Sequence, residues 1–142
     1  MRLNVQTDYA LRLLMHLAVN TDRLVTIKEA SDRFGISKTH LMKLASALTH
    51  DGFVDAVRGR SGGLRLARPA AEIRIGDVVR RMENDFDVVE CFRAGRNECL
   101  ITPACRLKGV LHRAVEAFLT ELDTCTLDDL VQTNEPLRLM LA

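Results

Sequence analysis

The spacing of apolar and polar residues predicts a chain built mostly from amphipathic helices. From Asp8 to about Asn20, apolar residues recur at intervals of three and four, which is the period of one helix face. Thr7 precedes this run and is the predicted N-cap. Asp8 would then lie in the first turn, where a carboxylate interacts favourably with the helix dipole.

Two shorter helical runs follow, and the spacing between them is that of a helix-turn-helix. The first opens at Thr26, with Glu29 placed to complete a capping box, and ends at Gly35, while Ser37 caps the second. This arrangement is typical of modules whose second helix enters the major groove of DNA. The residues predicted to face the core are Ile27, Ala30, Phe34, Leu41, Leu44, Ala45 and Leu48, and those predicted to face outward are Lys38, Thr39, His40, Met42 and Lys43.

Two β-prone runs joined by a glycine-rich basic turn predict a hairpin directly behind these helices. The runs are Phe53–Val57 and Leu64–Leu66. In this position a hairpin forms a wing, whose arginines can enter a minor groove, although a solvated hairpin with incidental arginines is the alternative. The predicted DNA-binding residues are Ser37, Lys38, Thr39, His40, Lys43, Arg58, Arg60, Ser61, Gly62 and Gly63.

Three further helices are predicted in the second half of the chain. A short one covers about Ile75 to Met82, and a final one is capped by Thr126 with Asp129, after which the chain is expected to fray beyond Asn134. Between them, Thr102-Pro103 opens a long helix of twenty residues from the proline, spanning about 30 Å. Its wide apolar face predicts pairing with a second copy of the chain. That face comprises Leu107, Val110, Leu111, Ala114, Val115, Phe118, Leu119 and Leu122.

The predicted fold is therefore mostly α with a small β wing. Residues 1–82 would form a winged helix-turn-helix domain, 83–106 a loop that contains cysteines, and 103–134 a long dimerisation helix and a C-terminal helix. The 142 residues are 47% hydrophobic and 27% charged, which excludes general disorder. No signal region or bilayer-spanning run is seen, so a cytoplasmic protein without a membrane partner is expected.

Charge is distributed unevenly along a chain whose net charge is only +1. Residues 26–68 carry +4 and residues 109–142 carry −4. A polyanion such as DNA is therefore expected to bind the first half.

Three of the four cysteines lie between positions 91 and 105, and their chemistry predicts a metal site. Cys91, Cys99 and Cys105 are separated by seven and five residues in a polar, turn-rich stretch. In a reducing cytoplasm such thiols are more often metal ligands than disulfide partners. Soft thiolates on a loop suit an iron–sulfur cluster or zinc, although structural zinc sites usually use closer pairs. Three unrelated cysteines without a metal are the remaining alternative.

The loop supplies three thiolates, so a fourth ligand must come from elsewhere. Cys105 is predicted to lie in the first turn of the long helix, where the helix dipole favours a thiolate. Cys125 is predicted to be a packing residue, and His16 and His50 to be structural. The candidates for the fourth ligand are Asp8, Glu90, Glu98, His112, Cys125 and a small molecule.

Two other classes of function have weaker support in the residues. An enzyme with Cys105 as its nucleophile would need a base, and nothing in the sequence places one beside it, so no catalytic residue is predicted. A carrier or scaffold for iron–sulfur clusters would leave the winged module without a use.

Several stretches resemble the Rrf-type winged-helix transcription regulators. They cover nearly the whole chain, and the last two are similar to the nitric-oxide-sensing members of that family. The gap of seven residues between the first two cysteines is longer than related loops tend to have. The stretches are Thr7-Asp-Tyr-Ala10, Val57-Arg-Gly-Arg-Ser-Gly-Gly-Leu-Arg-Leu-Ala67, Ile75-Gly-Asp-Val-Val79, Ile101-Thr-Pro-Ala-Cys-Arg-Leu107 and Phe118-Leu-Thr-Glu-Leu-Asp123.

The resemblance implies a homodimeric repressor that binds a palindromic operator in double-stranded DNA. Each subunit would carry one iron–sulfur cluster, 4Fe–4S or alternatively 2Fe–2S, and nitric oxide reacting with it would release the DNA. The implied alternative is an iron–sulfur biogenesis or redox-sensing regulator of the same family, with a histidine as the remaining ligand. The implied ligands are Cys91, Cys99, Cys105 and, from the partner's first helix, Asp8.

Overall fold

Helices make up most of the chain in the computed structural model, which describes residues 1–142. The helices are α1 (Val5–Val19), α2 (Ile27–Phe34), α3 (Lys38–His50), α4 (Ile75–Met82), α5 (Arg106–Asp123), α6 (Leu127–Val131) and α7 (Glu135–Leu141). Strands β1 (Val54–Val57) and β2 (Gly63–Leu66) form one antiparallel hairpin, with Val54 opposite Leu66 and Val57 opposite Gly63. The predicted class, mostly α with a small β wing, is confirmed.

The hydrophobic core is built around α1. Leu13, Leu14 and Leu17 of this helix are completely or almost completely buried. Side chains of α2, α3, the hairpin, α4 and α6 complete the same core. Helix α5 contributes one fully buried residue, Leu119, so most of its surface does not face this core.

The start of α1 differs from its prediction by a few residues. Asn4 is the N-cap, because its side-chain oxygen accepts a hydrogen bond from the backbone N–H of Thr7 at 2.8 Å. Thr7 lies inside the helix and is fully buried, and its hydroxyl donates to the carboxylate of Glu83. The prediction of Thr7 as the cap was wrong because that distant carboxylate competes for its hydroxyl. Asp8 does lie in the first turn, as predicted.

The helix-turn-helix forms as predicted, with one exception. Gly35 ends α2 with a φ of 65°, a left-handed conformation that glycine adopts at little cost. Thr26 caps α2 and Ser37 caps α3 through their hydroxyl oxygens. The capping box at Thr26 is incomplete, because the carboxylate of Glu29 binds Arg23 and His16 and does not return to the cap.

His16 has partners that its sequence position did not indicate. Its ring is completely buried, with Nε2 at 3.1 Å from Glu29 Oε1 and Nδ1 at 3.3 Å from the side-chain amide of Asn20. A neutral ring satisfies both contacts, donating from Nε2 and accepting at Nδ1. Burial lowers the pKa of His16 below its ordinary value, although the Glu29 carboxylate opposes the shift.

Stability is expected to fall as the pH is lowered through the ordinary pKa of histidine, 6.5. Above that pH, His16 is neutral in both states. Below it, the unfolded chain binds a proton that the folded chain resists, which costs up to about 1.4 kcal/mol per pH unit until the folded pKa is reached. Urea unfolding from about pH 7.5 to about pH 5.5 measures this slope. His16→Gln should flatten this slope of stability against pH, and a slope equal to that of the wild type would contradict the assignment.

The C-terminal residues form a helix where fraying was predicted, so that prediction was wrong. Asn134 caps α7 by accepting from Leu137 N, and Leu141 is buried. The side-chain amide of Asn20 donates to the Leu141 carbonyl at 2.8 Å, and the Arg33 guanidinium donates to the carbonyls of Met140 and Ala142. These contacts cross more than a hundred residues of sequence, so no local pattern could reveal them.

The long helix begins later than predicted. Thr102–Ala104 forms a separate 3-10 turn around the proline, and α5 starts at Arg106. Cys105 lies between them as the N-cap, with an extended backbone (φ −79°, ψ 108°), so its predicted place in the first helical turn was wrong. The other end of α5 is fastened to α4 by a two-pronged ion pair between Arg80 and Asp123 at 2.5 and 2.7 Å.

Candidate DNA-binding face and cysteine loop

Helix α3 presents the polar surface that was predicted for it. Its apolar side chains Leu41, Leu44, Ala45 and Leu48 are buried, which turns the opposite side to solvent. The hydroxyl oxygen of Ser37 accepts from His40 N at 3.2 Å and thereby fixes the first turn. The exposed side chains are Lys38, Thr39, His40, Met42 and Lys43.

The wing carries its basic residues at an exposed tip. Arg58, Gly59, Arg60 and Ser61 are exposed, and Gly59 has a φ of 108°, which a side chain would disfavour. Arg65 of β2 lies 3.6 Å from the carboxylate of Asp55 across the hairpin. Arg58 and Arg60, which form no such pair, keep their charge available to an anion. A Cβ on Gly62 would overlap the carbonyl of Val57, so glycine is needed for the turn itself.

Hydrogen bonds to the backbone order the cysteine loop around Cys99. The Asn97 side chain accepts from Cys99 N at 3.1 Å, and the hydroxyl of Thr102 donates to the Cys99 carbonyl at 2.8 Å. The Glu90 carboxylate accepts from Glu98 N at 2.6 Å, which brings the neighbours of Cys91 and Cys99 together. Cys105 N in turn donates to the Thr102 carbonyl at 3.3 Å.

All three thiols are half-buried and none forms a disulfide. Their side chains are not gathered closely enough, with each other or with histidine and carboxylates, to form a metal-binding group of three. The donor set nevertheless suits an iron–sulfur cluster, which is held by thiolates on flexible backbone. The loop contains no close cysteine pair of the kind that structural zinc favours.

Asp8 lies in the first turn of α1 and forms an ion pair with an arginine. Arg12, one turn along α1, donates to both carboxylate oxygens at 3.0 and 2.5 Å, and both side chains are nearly half exposed. The Arg12 guanidinium lies 5.8 Å from the centre of the Tyr9 ring, and Tyr9 meets His40 edge-on at 5.9 Å. A chain of contacts thus leads from Asp8 to the first turn of α3. Tyr9 and Arg12 were missed in the sequence because helical spacing alone does not show what α1 faces.

The remaining candidate ligands have other contacts. The thiol of Cys125 packs against the core and donates to the Thr126 carbonyl at 3.5 Å. Burial raises its pKa, which disfavours the thiolate that a metal requires. His112, on α5, lies against the Phe92 ring with 5.7 Å between ring centres. The carboxylate of Glu90 is used within the loop itself.

An apolar groove runs along α5. It encloses about 650 Å³ between α5, residues 1–3 and residues 83–88, and Leu111, Val115 and Phe118 form one wall. Leu107 and Val110 of the same helix are more than half or about half exposed. No helix has both the length and the apolar character needed to cross a bilayer.

Known proteins share both the sequence and the fold of this chain. The chain is 44% identical over 143 residues to the HTH-type transcriptional regulator NsrR of Bacillus licheniformis, and the match spans 100% of both. The oxidised form of Staphylococcus aureus CymR superposes with a TM-score of 0.75, 26% identity and coverage of 92% of this chain and 95% of that one. For T. potens IscR the TM-score is 0.73, with 26% identity over 92% of this chain and 85% of that one.

The winged helix-turn-helix and its exposed basic face agree with the name of the Bacillus licheniformis relative, an HTH-type transcriptional regulator. The model of the Rrf2 family, described as iron-dependent transcriptional regulators, matches residues 3–133, which is nearly the whole chain. This extent, together with the full-length match to a regulator, shows that the chain is a DNA-binding transcriptional regulator of the Rrf2 family.

Proposed function

We propose that this regulator is a repressor whose grip on DNA is controlled by an iron–sulfur cluster that responds to nitric oxide. The observation that carries the proposal is one loop that holds three free, half-buried cysteines, with the backbone of Cys99 fixed by Asn97 and Thr102. The relative named NsrR supports it, since the alignment covers 100% of both proteins. We place the protein in the cytoplasm, where promoter DNA and reduced thiols are both found.

Three ligands are proposed from one subunit and a fourth from the other. Cys91, Cys99 and Cys105 would hold one cluster per subunit, 4Fe–4S or alternatively 2Fe–2S. Asp8 is the proposed fourth ligand, contributed across the dimer. A carboxylate is a weaker ligand for iron than a thiolate, so it leaves one position that a small molecule can take. Asp8 is nearly half exposed and pairs with Arg12, so it could exchange this ion pair for a bond to the iron of the other subunit.

A homodimer is proposed because α5 has an apolar face that its own chain leaves uncovered. Leu107, Val110 and Phe118 remain substantially exposed, although they follow the helical spacing of a buried stripe. The groove on the same helix is lined mostly by hydrophobic residues, so a second copy of the chain could cover it. A dimer would also present two recognition helices to the two halves of a palindromic operator.

The cluster, when bound, supplies iron that reacts with nitric oxide. The residues of the chain do the rest. As a ligand, Asp8 would give up its ion pair with Arg12, and once released it would form that pair again. Arg12 would then change its contact with the ring of Tyr9, which lies against His40 on α3. The contacts from Asp8 through Arg12 and Tyr9 to His40 would then have two arrangements, one with Asp8 bound to iron and one with Asp8 bound to Arg12. The change between them would alter how α3 fits DNA.

The alternative is a regulator of cluster biogenesis or of redox state within the same family. The solved structure of T. potens IscR, with its TM-score of 0.73, keeps this alternative in view. His112, a candidate fourth ligand on α5, already lies against Phe92 of the cysteine loop. An enzymatic role has less support, because the Cys105 thiol makes no hydrogen bond to a histidine or a carboxylate, and we propose that the chain is not an enzyme.

Metal analysis of anaerobically purified protein tests this proposal. The expected result is iron and sulfide bound together with visible absorbance that nitric oxide bleaches. Stoichiometric zinc without iron, from cells supplied with iron, would overturn the cluster assignment. A cluster that binds normally but reacts only with oxidants or with loss of iron supply would favour the alternative regulator.

Replacing Arg60 by alanine is expected to weaken operator binding. An arginine at an exposed wing tip gains from the concentrated negative potential of a narrow minor groove, so its loss should cost about 1–3 kcal/mol. The cationic side chain of Arg60 also releases counterions from the phosphates near it. The slope of log affinity against log salt concentration should therefore shrink by about 1 in the variant. Fluorescence anisotropy at several salt concentrations measures both. Arg65→Ala is the matched control, because Arg65 already pairs with Asp55; equal losses in the two variants would contradict the role given to the wing tip.

A further inference from the structure

Glu83 joins two parts of the molecule that the proposed function uses separately. Its Oε1 accepts hydrogen bonds from the backbone N–H of Asn4 at 2.8 Å and from the hydroxyl of Thr7 at 2.6 Å. In return, the side-chain amide of Asn4 donates to the carbonyl of Met82 at 2.9 Å. These three hydrogen bonds, here called the Glu83 clasp, fasten the first turn of α1 to the end of α4.

The clasp depends on the carboxylate of Glu83. Thr7 is fully buried, so its hydroxyl would lose its acceptor if the carboxylate were removed, and a buried hydroxyl without a partner is costly. Both donors to Glu83 belong to the start of α1, where the helix dipole favours a negative charge. Hydrogen bonds to an ionised acceptor are also stronger than those between neutral groups. Glu83 is therefore a specific anchor for this turn of the helix.

The Glu83 clasp lies next to both Asp8 and the segment that leads to the cysteine loop. Thr7 is followed directly by Asp8, so the clasp holds the helical turn that carries the proposed fourth ligand. Glu83 itself ends α4 and opens the segment that reaches Cys91 eight residues later. Residues 83, 85–88 and 1–3 also line the groove beside α5. The clasp thus lies where the thiolate-bearing segment and the carboxylate-bearing helix of one subunit meet.

We propose that Glu83 is a positioning residue for cluster ligation. It anchors the first turn of α1, which carries Asp8, to the segment that leads into the cysteine loop. This inference rests on the proposed function, since it concerns how Asp8 reaches the cluster. In a dimer, Asp8 of each subunit would serve the cluster of the other. The clasp then links the cysteine loop of a subunit to the carboxylate that the same subunit supplies to its partner, so the two clusters share one rigid frame.

The test compares variants of the full-length, cluster-loaded protein under anaerobic conditions. Thr7→Val removes a donor of the clasp while keeping the shape of the side chain, and Glu83→Ala removes the acceptor. Both should load a cluster, because the three cysteines are intact. Both should release iron to a chelator about three- to tenfold faster than wild type, the range expected for losing one net hydrogen bond that holds a ligand. Glu83→Gln keeps an acceptor oxygen and should restore most of the wild-type rate.

A cycle with Asp8→Ala separates a positioning role from a general loss of stability. If Glu83 acts through Asp8, adding Glu83→Ala to Asp8→Ala should not accelerate iron release further, and the visible circular dichroism of the two single variants should shift in the same direction. Glu72→Ala, on an exposed turn behind the wing, is the matched control and should behave as wild type. Thermal unfolding of the apoproteins tests whether each variant is folded. If Glu83→Ala does not fold, the comparison is made with Thr7→Val.

The outcomes distinguish this inference from the proposed function. A cluster that responds to Asp8→Ala, but not to Thr7→Val or Glu83→Ala, overturns the inference alone. Additive effects of Glu83→Ala and Asp8→Ala also overturn it, because they would show that Glu83 does not act through Asp8. A wild-type protein that binds no cluster, or whose cluster ignores Asp8→Ala, overturns the proposed ligand set and the inference with it.

Discussion

Replacing Cys99 by alanine is expected to abolish the visible absorbance of the anaerobically prepared protein. Cys99 is the middle ligand of the proposed set, and Asn97 and Thr102 hold its backbone N–H and carbonyl in place. A cluster left with two loop thiolates would have too few ligands to persist. Absorbance in the visible range and iron content after anaerobic reconstitution measure the effect.

Cys125→Ala is the matched control for this experiment. Its thiol packs against the core, and burial raises its pKa, so it is poorly suited to ligate iron. The variant should keep full absorbance and lose at most about 1 kcal/mol of folding free energy, because a small apolar side chain has been shortened slightly. Full cluster content in Cys99→Ala, or its loss in Cys125→Ala, would contradict the proposed ligand set.

Replacing Phe118 by glutamate is expected to split the proposed homodimer. Phe118 lies on the groove beside α5 and is 39% exposed, which leaves a large aromatic surface for a partner to cover. A carboxylate buried in such an interface without a partner should weaken the dimer by roughly 100-fold or more. Operator binding should fall with it, since a monomer reads only one half of a palindrome. Analytical ultracentrifugation over a range of concentrations measures the change.

Thr120→Glu is the control for the dimer, because Thr120 is an exposed polar residue two positions further along the same helix. Two residues correspond to about 200° of helical rotation, so this side chain points away from the groove. It should leave both dimer and operator affinity unchanged. A wild-type protein that is monomeric at all accessible concentrations would remove the basis of this prediction.

The DNA-binding module could be predicted from sequence because its determinants are local. Ser37 caps α3 through a residue three positions away, and Gly35 ends α2 through its own backbone conformation. The wing follows from two short strands and the glycines between them. Each of these signals lies within a few residues of the element that it specifies, so tertiary contacts were not needed to find it.

The features that were predicted wrongly depend on distant partners. Thr7 looked like a cap, but Glu83, 76 residues away, takes its hydroxyl and leaves the cap to Asn4. Glu29 is drawn from its capping box by His16 and Arg23. Helix α7 is fastened by Asn20 and Arg33 across the whole chain. Competition of this kind among hydrogen-bond partners is decided by the folded structure and leaves little trace in the local pattern.

The cysteine loop shows a different limit. The residue types and spacing are sufficient to predict metal chemistry, but under the proposed function the three thiols would converge only around a bound group, and Asp8 would join them only from a second subunit. Neither is contained in the local sequence. The structure shows hydrogen bonds of Glu90, Asn97 and Thr102 that order the loop, and the one from Glu98 to Glu90 brings the neighbours of Cys91 and Cys99 together. Ligand identity therefore stays a prediction, with the donor chemistry as its support.

Titration of nitric oxide into the anaerobic, cluster-loaded protein bound to operator DNA shows whether loss of the cluster releases the DNA. Visible absorbance reports the cluster, and the anisotropy of a labelled duplex carrying the operator reports binding in the same sample. The account predicts that DNA is released in step with the loss of cluster absorbance, and that Cys99→Ala protein shows neither response. DNA that stays bound while the cluster absorbance disappears would contradict the account.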